Sequence, residues 1–349
     1  MAPVIGGVDT HSDTHCAAVI DHLGRLCGTS QFPTTKVGLA ALRNWMSSFG
    51  ELTAVGVEGT GTYGAELARF LRSESIEVRE VPRPSRRLRR QRGKSDPLDA
   101  EAATRAVLGG QAKVLPKFGC DRIEAIRVLR VARTGAMKSR IAAINALKSL
   151  VISAPIELRS SLTPNSTRCR LIKTCAAFRV DETRISDPLV ASKLAMRSIA
   201  RRILAHDKEI ADIDRHLTDL VRKSAPRTLA SFGMGVETTA AILVAIGDNP
   251  ERLRSEASLA RLFGAAPIPA SSGKTNRHRL HRGGVRQANQ ALHVAVIVRL
   301  RYCPKTQAYM ARRRAEGLSK LEVIRCLKRY LVRELARTLR EDYADLLLT

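Results

Sequence analysis

Hydrophobic positions fall first in short runs and later in long helical stripes. Val4-Ile5-Gly6-Gly7-Val8 is a short β-type run that ends at Asp9. Cys16 to Ile20 and Leu26 to Phe32 read as two more strands, joined by a turn at Asp21-His22-Leu23-Gly24. Three strands with tight connections predict a meander. From Val37 to Phe49 the period becomes helical, with Leu39, Leu42, Trp45 and Met46 on one side. Leu52 to Val57 is a buried-type strand that ends at Glu58. Thr60 to Ser73 reads as helix, and Ile76 to Val81 as a strand with Ile76 and Val78 alternating against Glu77 and Arg79. A helix is expected over Asp96 to Leu108, because Ser95 or Asp96 can cap it and Pro97 suits its first position. The order is βββαβαβα.

Beyond residue 120 the pattern is helical. Asp121 to Val151 carries Ile123, Ile126, Met137, Ile141, Ile144 and Leu147 on a stripe, and Leu194 to Arg222 is a second such stretch. Ser160 to Asp187, between them, is poor in pattern and contains breakers. Two long amphipathic helices predict a coiled-coil-like arm of the kind that mediates self-association. Ser231-Phe232-Gly233-Met234-Gly235 then precedes an apolar helix over Thr238 to Ile246. A Gly-x-Gly turn between helices can offer backbone N–H groups to a phosphate, or can simply be a helix C-cap before a new helix. The apolar run from Leu262 breaks at Pro267 and Pro269 and exposes Ser271 and Ser272 beside Gly273. Ala288 to Leu300 and Lys320 to Leu339 read as basic amphipathic helices.

Composition narrows the partner. The 349 residues are 44% hydrophobic, enough for a core and for two or three domains. The net charge of +26 points to a polyanion, and nucleic acid is the first candidate. Aromatics at 4% argue against base stacking as the main binding mode. From Ser272 to the end there are 18 Lys and Arg against 6 Asp and Glu. A second basic run, Arg83, Arg86, Arg87, Arg89, Arg90, Arg92 and Lys94, leads into Asp96. It is a solvated loop or a carrier of phosphate backbone. Seven cysteines with no CxxC suit a reducing cytosol and neither a disulfide framework nor a zinc ribbon. His11, His15 and Cys16 are discounted as metal ligands, since their segment reads as a turn running into an ordinary strand. No apolar run approaches membrane-spanning length and no signal peptide pattern opens the chain. The expected location is the bacterial cytoplasm, at the nucleoid.

The acidic positions are ordered. Asp9 ends strand one, Glu58 ends strand four, and Asp96 and Asp99 lie one turn apart at the start of a helix. Strands one and four are neighbours in a ribonuclease H-like sheet, with their carboxyl ends on one edge. Four carboxylates on one edge are costly unless they hold metal, and hard oxygen donors suit Mg²⁺ or Mn²⁺. The plainer reading is that they cap helices and solvate strand ends. Ser271 and Ser272 offer a nucleophile that needs activation. Lys274, Arg277, His278, Arg279, Arg282 and Arg286 follow, and cations there could stabilise charge on a phosphoryl group.

The combination resembles the DEDD transposases of the insertion-sequence one-ten family, recombinases guided by a bridge RNA and related to Piv-type DNA invertases. The resemblance covers nearly the whole chain. It rests on Gly7-Val8-Asp9-Thr10-His11, on Val57-Glu58-Gly59-Thr60-Gly61-Thr62-Tyr63, on Lys94-Ser95-Asp96-Pro97-Leu98-Asp99-Ala100, and on Gly264, Pro267, Ser272 and Gly273. The family's hairpin usually has proline before its Gly-x-Gly, where this chain has Phe232, and Arg282-Gly283-Gly284-Val285-Arg286 matches loosely.

The resemblance implies an α/β RNase H/RuvC-like N-terminal domain over 1–115, a helical coiled-coil linker over 116–225 and a mainly α-helical C-terminal transposase domain over 226–349. It implies that Ser272 attacks a DNA phosphodiester, forming a phosphoserine and freeing a 3′ hydroxyl. Asp9, Glu58, Asp96 and Asp99 would bind Mg²⁺ (or Mn²⁺). Nucleic acid would meet Arg86, Arg87, Arg89, Arg90, Lys274, Arg277, Arg279 and Arg282. A structured bridge RNA would choose the donor and target DNA. Serine and tetrad would come from different protomers of a dimer of dimers. The alternatives are a Piv-like invertase, a two-metal nuclease of the Holliday-junction type with Ser272 idle, and a non-catalytic RNA-binding protein.

Overall fold

The computed structural model describes residues 2–81, 95–117, 119, 122–162, 167–273, 277–279 and 281–347. The chain forms two compact units. The first is Met1–Glu124 with Ile246–Ser258, and the second is Ala125–Ala245 with Leu259–Thr349.

The first unit is built on a five-stranded sheet with strand order β3-β2-β1-β4-β5. Strands β1 (Pro3–Thr10), β2 (Thr14–Asp21) and β3 (Leu26–Pro33) form the antiparallel meander. β4 (Glu51–Glu58) joins β1 in parallel, and β5 (Glu77–Val81) joins β4 in parallel. The parallel pairings need crossovers, supplied by helices α1 (Lys36–Ser47) and α2 (Ala65–Ser73). Their Leu39, Leu42, Met46, Leu67 and Leu71 are buried with Val4, Val8, Val55 and Val57 of the sheet.

The opposite face belongs to α3 (Asp96–Leu108). Strand side chains alternate between faces, so Gly7 and Asp9 share a face of β1, and Gly56 and Glu58 share a face of β4. A Cβ on Gly7 would lie 2.5 Å from the Ala100 carbonyl oxygen, and one on Gly56 would lie 2.8 Å from that of Ala103. The two glycines therefore let α3 rest directly on the sheet, with Ala100, Ala103 and Thr104 as its buried face.

α2 begins at Ala65, five residues later than the pattern predicts. Gly59 has φ +69° and its carbonyl accepts from the Thr62 and Gly64 amides, so a tight turn takes the place of the first helical turn. The segment Ile246–Ser258 returns to this unit: Asn249 Nδ2 donates to the Leu115 carbonyl at 3.3 Å, and Arg252 reaches Glu80 at 3.1 Å.

Among the described residues the second unit is helical apart from one small hairpin. Helices α4 (Arg122–Ser153) and α7 (Pro188–Ser224) run antiparallel, as the pairing of Arg133 with Asp214 and Arg140 with Asp207 requires. Ala143, Ile144 and Leu147 of α4 pack with Met196, Ala200 and Ile203 of α7. Among its described residues the stretch without a clear pattern holds two short α-helices, α5 (Ile156–Leu162) and α6 (Arg168–Ala176), which close the end of this pair, and a 3-10 turn at Glu182–Arg184. α8 (Pro226–Ala230) and α9 (Val236–Ile246) flank the Gly-x-Gly turn. α10 (Glu256–Leu262) leads into a hairpin of β6 (Ile268–Pro269) and β7 (His278–Arg279). α11 (Arg286–Tyr302), α12 (Pro304–Ala315) and α13 (Lys320–Leu347) complete it. α12 has no apolar stripe and no buried residue, so its periodicity was silent; Pro304 starts it. No described helix is long and apolar enough to cross a membrane.

Candidate metal centre and serine hairpin

The acidic residues meet at one edge of the first unit's sheet. Val8 pairs with Val57 in the parallel β1–β4 ladder, so Asp9 and Glu58 follow at adjacent strand ends on the α3 face. Both are buried, each 8% exposed. The Thr10 hydroxyl donates to the Glu58 carbonyl oxygen at 2.8 Å and ties the two ends together. α3 then delivers its first turn, with Ser95 extended at the N-cap, Pro97 inside the start, and Asp96 and Asp99 in that turn.

The carboxylates feel one another. Burial raises the Asp9 carboxyl above the usual aspartate range; the His11 charge offsets part of this, and the Asp99 and Asp96 charges add to the rise. Donor atoms of Asp9, His11 and Asp96 all lie within 4.8 Å of one another. Glu58 and Asp99 stand outside that tightest group, at the neighbouring strand end and later in the same helical turn.

His11 is the residue that sequence reasoning set aside. Its Nε2 lies 3.3 Å from Asp9 Oδ2 and 3.4 Å from Asp96 Oδ1. The signal was its parity: two positions after Asp9, at the end of β1, it falls on the same side of the chain. His15 and Cys16 lie within β2. Burial, and after it Asp96 and Asp9, push the Cys16 thiol up to about 11, so it stays a thiol at neutral pH. His15 is buried and its imidazole is held below the ordinary value by that burial.

The serines stand in the second unit. Ile268 pairs with Arg279 and Pro269 with His278, and the Ala270 amide donates to the Arg277 carbonyl. Ser271, Ser272 and Gly273 are therefore at the exposed end of a hairpin, with Gly273 at φ +53°. Its base is clamped. The Val285 amide donates to the Leu262 carbonyl at 2.7 Å, and Gly284 is packed against Gly264. Asn289 Nδ2 donates to the carbonyls of Phe263 and Gly264, while Lys328 Nζ donates to Asn289 Oδ1 at 2.8 Å. Burial lowers the Lys328 ammonium below the usual lysine range. Asn289 and Lys328 were not legible as site residues, since no local motif carries them.

Beside the hairpin is a cavity of about 600 Å³. Arg277, Arg279, Arg325, Arg329 and Arg333 are among its lining, and among the described residues Glu322 is its one acidic member. Such a concentration of cations suits phosphate. Arg282 is exposed on the loop after β7. Arg86, Arg87, Arg89, Arg90 and Lys274 lie outside the described residues.

Two family models match. One, a transposase model of the DEDD type of the IS110 group, covers residues 6–154; the other, described as Transposase IS116/IS110/IS902 family, covers residues 227–311. Together they take in two thirds of the chain, including the acidic centre and the serine hairpin. The chain is similar to the "Insertion element IS900 uncharacterized 42 kDa protein" of Mycobacterium paratuberculosis, at 26% identity over 97% of this chain and 96% of that protein. It is also similar to the "Insertion element IS110 uncharacterized 43.6 kDa protein" of Streptomyces coelicolor, at 32% identity over 44% of this chain and 36% of that protein. The chain belongs to the IS110 family of transposases, enzymes that act on DNA.

Proposed function

We propose that this transposase cleaves and rejoins DNA through a covalent serine intermediate, under the direction of a structured bridge RNA. The observation that supports it most is the acidic edge: Asp9 and Glu58 end adjacent parallel strands, and α3 lays Asp96 and Asp99 against the same face. The strand order 3-2-1-4-5 favours reading this unit as a ribonuclease H/RuvC-like domain.

The donor set fits a divalent metal. It consists of hard carboxylate oxygens, with Asp9 and Glu58 both buried residues. Asp9, Glu58, Asp96 and Asp99 would hold Mg²⁺ or Mn²⁺, which when bound neutralises phosphoryl charge and polarises the phosphoryl oxygens. Ser272 Oγ attacks the phosphorus. An Oγ–P bond forms, the P–O3′ bond breaks, and the serine proton ends on the freed 3′ hydroxyl. Lys274, Arg277 and Arg279 flank the serine and would balance charge on the phosphate. Arg86, Arg87, Arg89, Arg90 and Arg282 would follow the nucleic-acid backbone. The 1–115, 116–225 and 226–349 regions would serve as metal domain, arm and serine domain. The antiparallel α4–α7 pair is suited to join protomers in a dimer of dimers.

The test is strand cleavage by Asp9→Ala, Glu58→Ala, Asp96→Ala and Asp99→Ala, with RNA, donor DNA and Mg²⁺. Each should lose cleavage while retaining nucleic-acid binding, because affinity comes from the basic surface. Normal cleavage by Asp96→Ala would remove the metal assignment. The same assay in a supercoiled plasmid with inverted sites separates a Piv-like invertase from a transposase by its product.

A further inference from the structure

Four carboxylates account for an oxygen-lined centre, but they leave His11 without a role. Its side chain is placed with care. The His11 amide donates to the Thr14 carbonyl at 3.2 Å and fixes the β1–β2 connection. That connection is held again from the residue after β3: the Thr34 hydroxyl donates to the Ser12 carbonyl, and the Thr34 amide to that of Asp13. From this anchored position Nε2 reaches between Asp9 and Asp96, at 3.3 and 3.4 Å.

Nε2 stands at nearly equal distances from two carboxylates. It carries at most one hydrogen, which can be aimed at only one of them. The atom is buried and, among the described residues, without a hydrogen-bond partner. The spacing is that of donors sharing one ion. Two donors each about 2.1 Å from a cation stand about 3.0 Å apart at right angles and about 3.4 Å apart at the tetrahedral angle. We propose that His11 Nε2 is a ligand of the metal at the acidic centre, and that this nitrogen makes the centre prefer Mn²⁺ to Mg²⁺. This rests on the reading of the carboxylates as a metal site. Mg²⁺ takes oxygen ligands; a first-row transition ion accepts an imidazole nitrogen more readily, and Mn²⁺, the first of that series, is the one that also keeps carboxylate and water ligands.

The experiment uses the full-length chain loaded with Mn²⁺ and pulsed electron paramagnetic resonance, which detects nitrogen bound directly to the ion. The parent should show a nitrogen coupling. It should be lost in His11→Ala, in which the carboxylates still bind Mn²⁺, and kept in His15→Gln. Calorimetric titration of His11→Asp should show the preference for Mn²⁺ over Mg²⁺ reduced relative to the parent. Should His11→Ala fail to fold, ¹⁵N-histidine labelling of the parent and of His11→Asp decides the matter, because the coupling must take the ¹⁵N pattern in the parent and be absent in His11→Asp. Mn²⁺ bound with no nitrogen coupling, or a coupling that persists in His11→Ala, overturns the inference and leaves the carboxylate site standing. A parent that binds no Mn²⁺ overturns both.

Discussion

The Ala100 carbonyl oxygen lies 2.5 Å from where a Cβ on Gly7 would stand. That approach seats α3 on β1 and so brings Asp96 and Asp99 to Asp9. The two nearest atoms opposite Gly7 are backbone, which cannot move aside as a flexible side chain can. Gly7→Ala should therefore lift the helix, destabilise the first unit by about 1–3 kcal/mol or more, and weaken metal binding at the acidic edge. Thermal unfolding and Mn²⁺ titration of the variant measure both. Unchanged metal affinity would mean that the seat of α3 does not set the site.

The clamp at the hairpin's base gives a second prediction. Asn289 Nδ2 serves two carbonyls, at 2.9 Å to Phe263 and 2.8 Å to Gly264. Asn289→Leu leaves both acceptors without that donor and should cost about 1–3 kcal/mol. It should also reduce covalent adduct formation at Ser272 more than it reduces DNA binding. Equal losses in both would make Asn289 a general structural residue.

Arg299 joins the Gly-x-Gly turn to the C-terminal helix. Its Nε donates to the Phe232 carbonyl at 2.7 Å, and its two terminal nitrogens fork onto Glu334, each at 2.7 Å. The Arg299 hydrogen bonds hold the Glu334 carboxyl below the usual range. A depressed carboxyl stabilises the fold fully above the ordinary glutamate value of about 4.3, and that contribution disappears as pH falls through the lowered one. Glu334 is 42% exposed, so screening keeps the pair to at most about 1 kcal/mol. Denaturant unfolding should find Glu334→Gln less stable than the parent at pH 7, with the gap closing toward pH 3. A gap that widens in acid would contradict the sign.

The fold was legible where periodicity was strong and the chain turned sharply. β1 stops after Asp9 and Thr10, β4 stops at Glu58, and α3 starts at Asp96, so the acidic order survives from sequence to sheet edge. α2's start was misplaced because helix-compatible residues after Gly59 hide a turn that only the glycine's positive φ permits. His11 was passed over because residue type alone does not reveal that a hairpin's first residue faces a helix more than eighty positions later. The Lys328–Asn289–Gly264 chain was illegible for a similar reason: it links three elements and has no local spacing.

Salt dependence tests the basic surface. Arg277 and Arg279 line the cavity beside the hairpin, and Arg282 is exposed after it. With all three changed to glutamine, the slope of log affinity against log salt should flatten by about 0.9 for each phosphate contact removed. An unchanged slope would place phosphate elsewhere on the chain.

The central claim is that Ser272 becomes covalently joined to DNA. Ser271 stands beside it; the resemblance of Gly264, Pro267, Ser272 and Gly273 to the family's pattern is what favours Ser272, and Gly273 after it adopts φ +53°, which favours glycine at that turn. The direct measurement is to incubate the parent, Ser272→Ala and Ser271→Ala with RNA, donor DNA and Mg²⁺, denature, and look for a slow-migrating, protease-sensitive DNA species. The account predicts this adduct in the parent, less of it in Ser271→Ala and none in Ser272→Ala. Cleavage by the parent with no adduct, or an adduct that survives in Ser272→Ala, would contradict it.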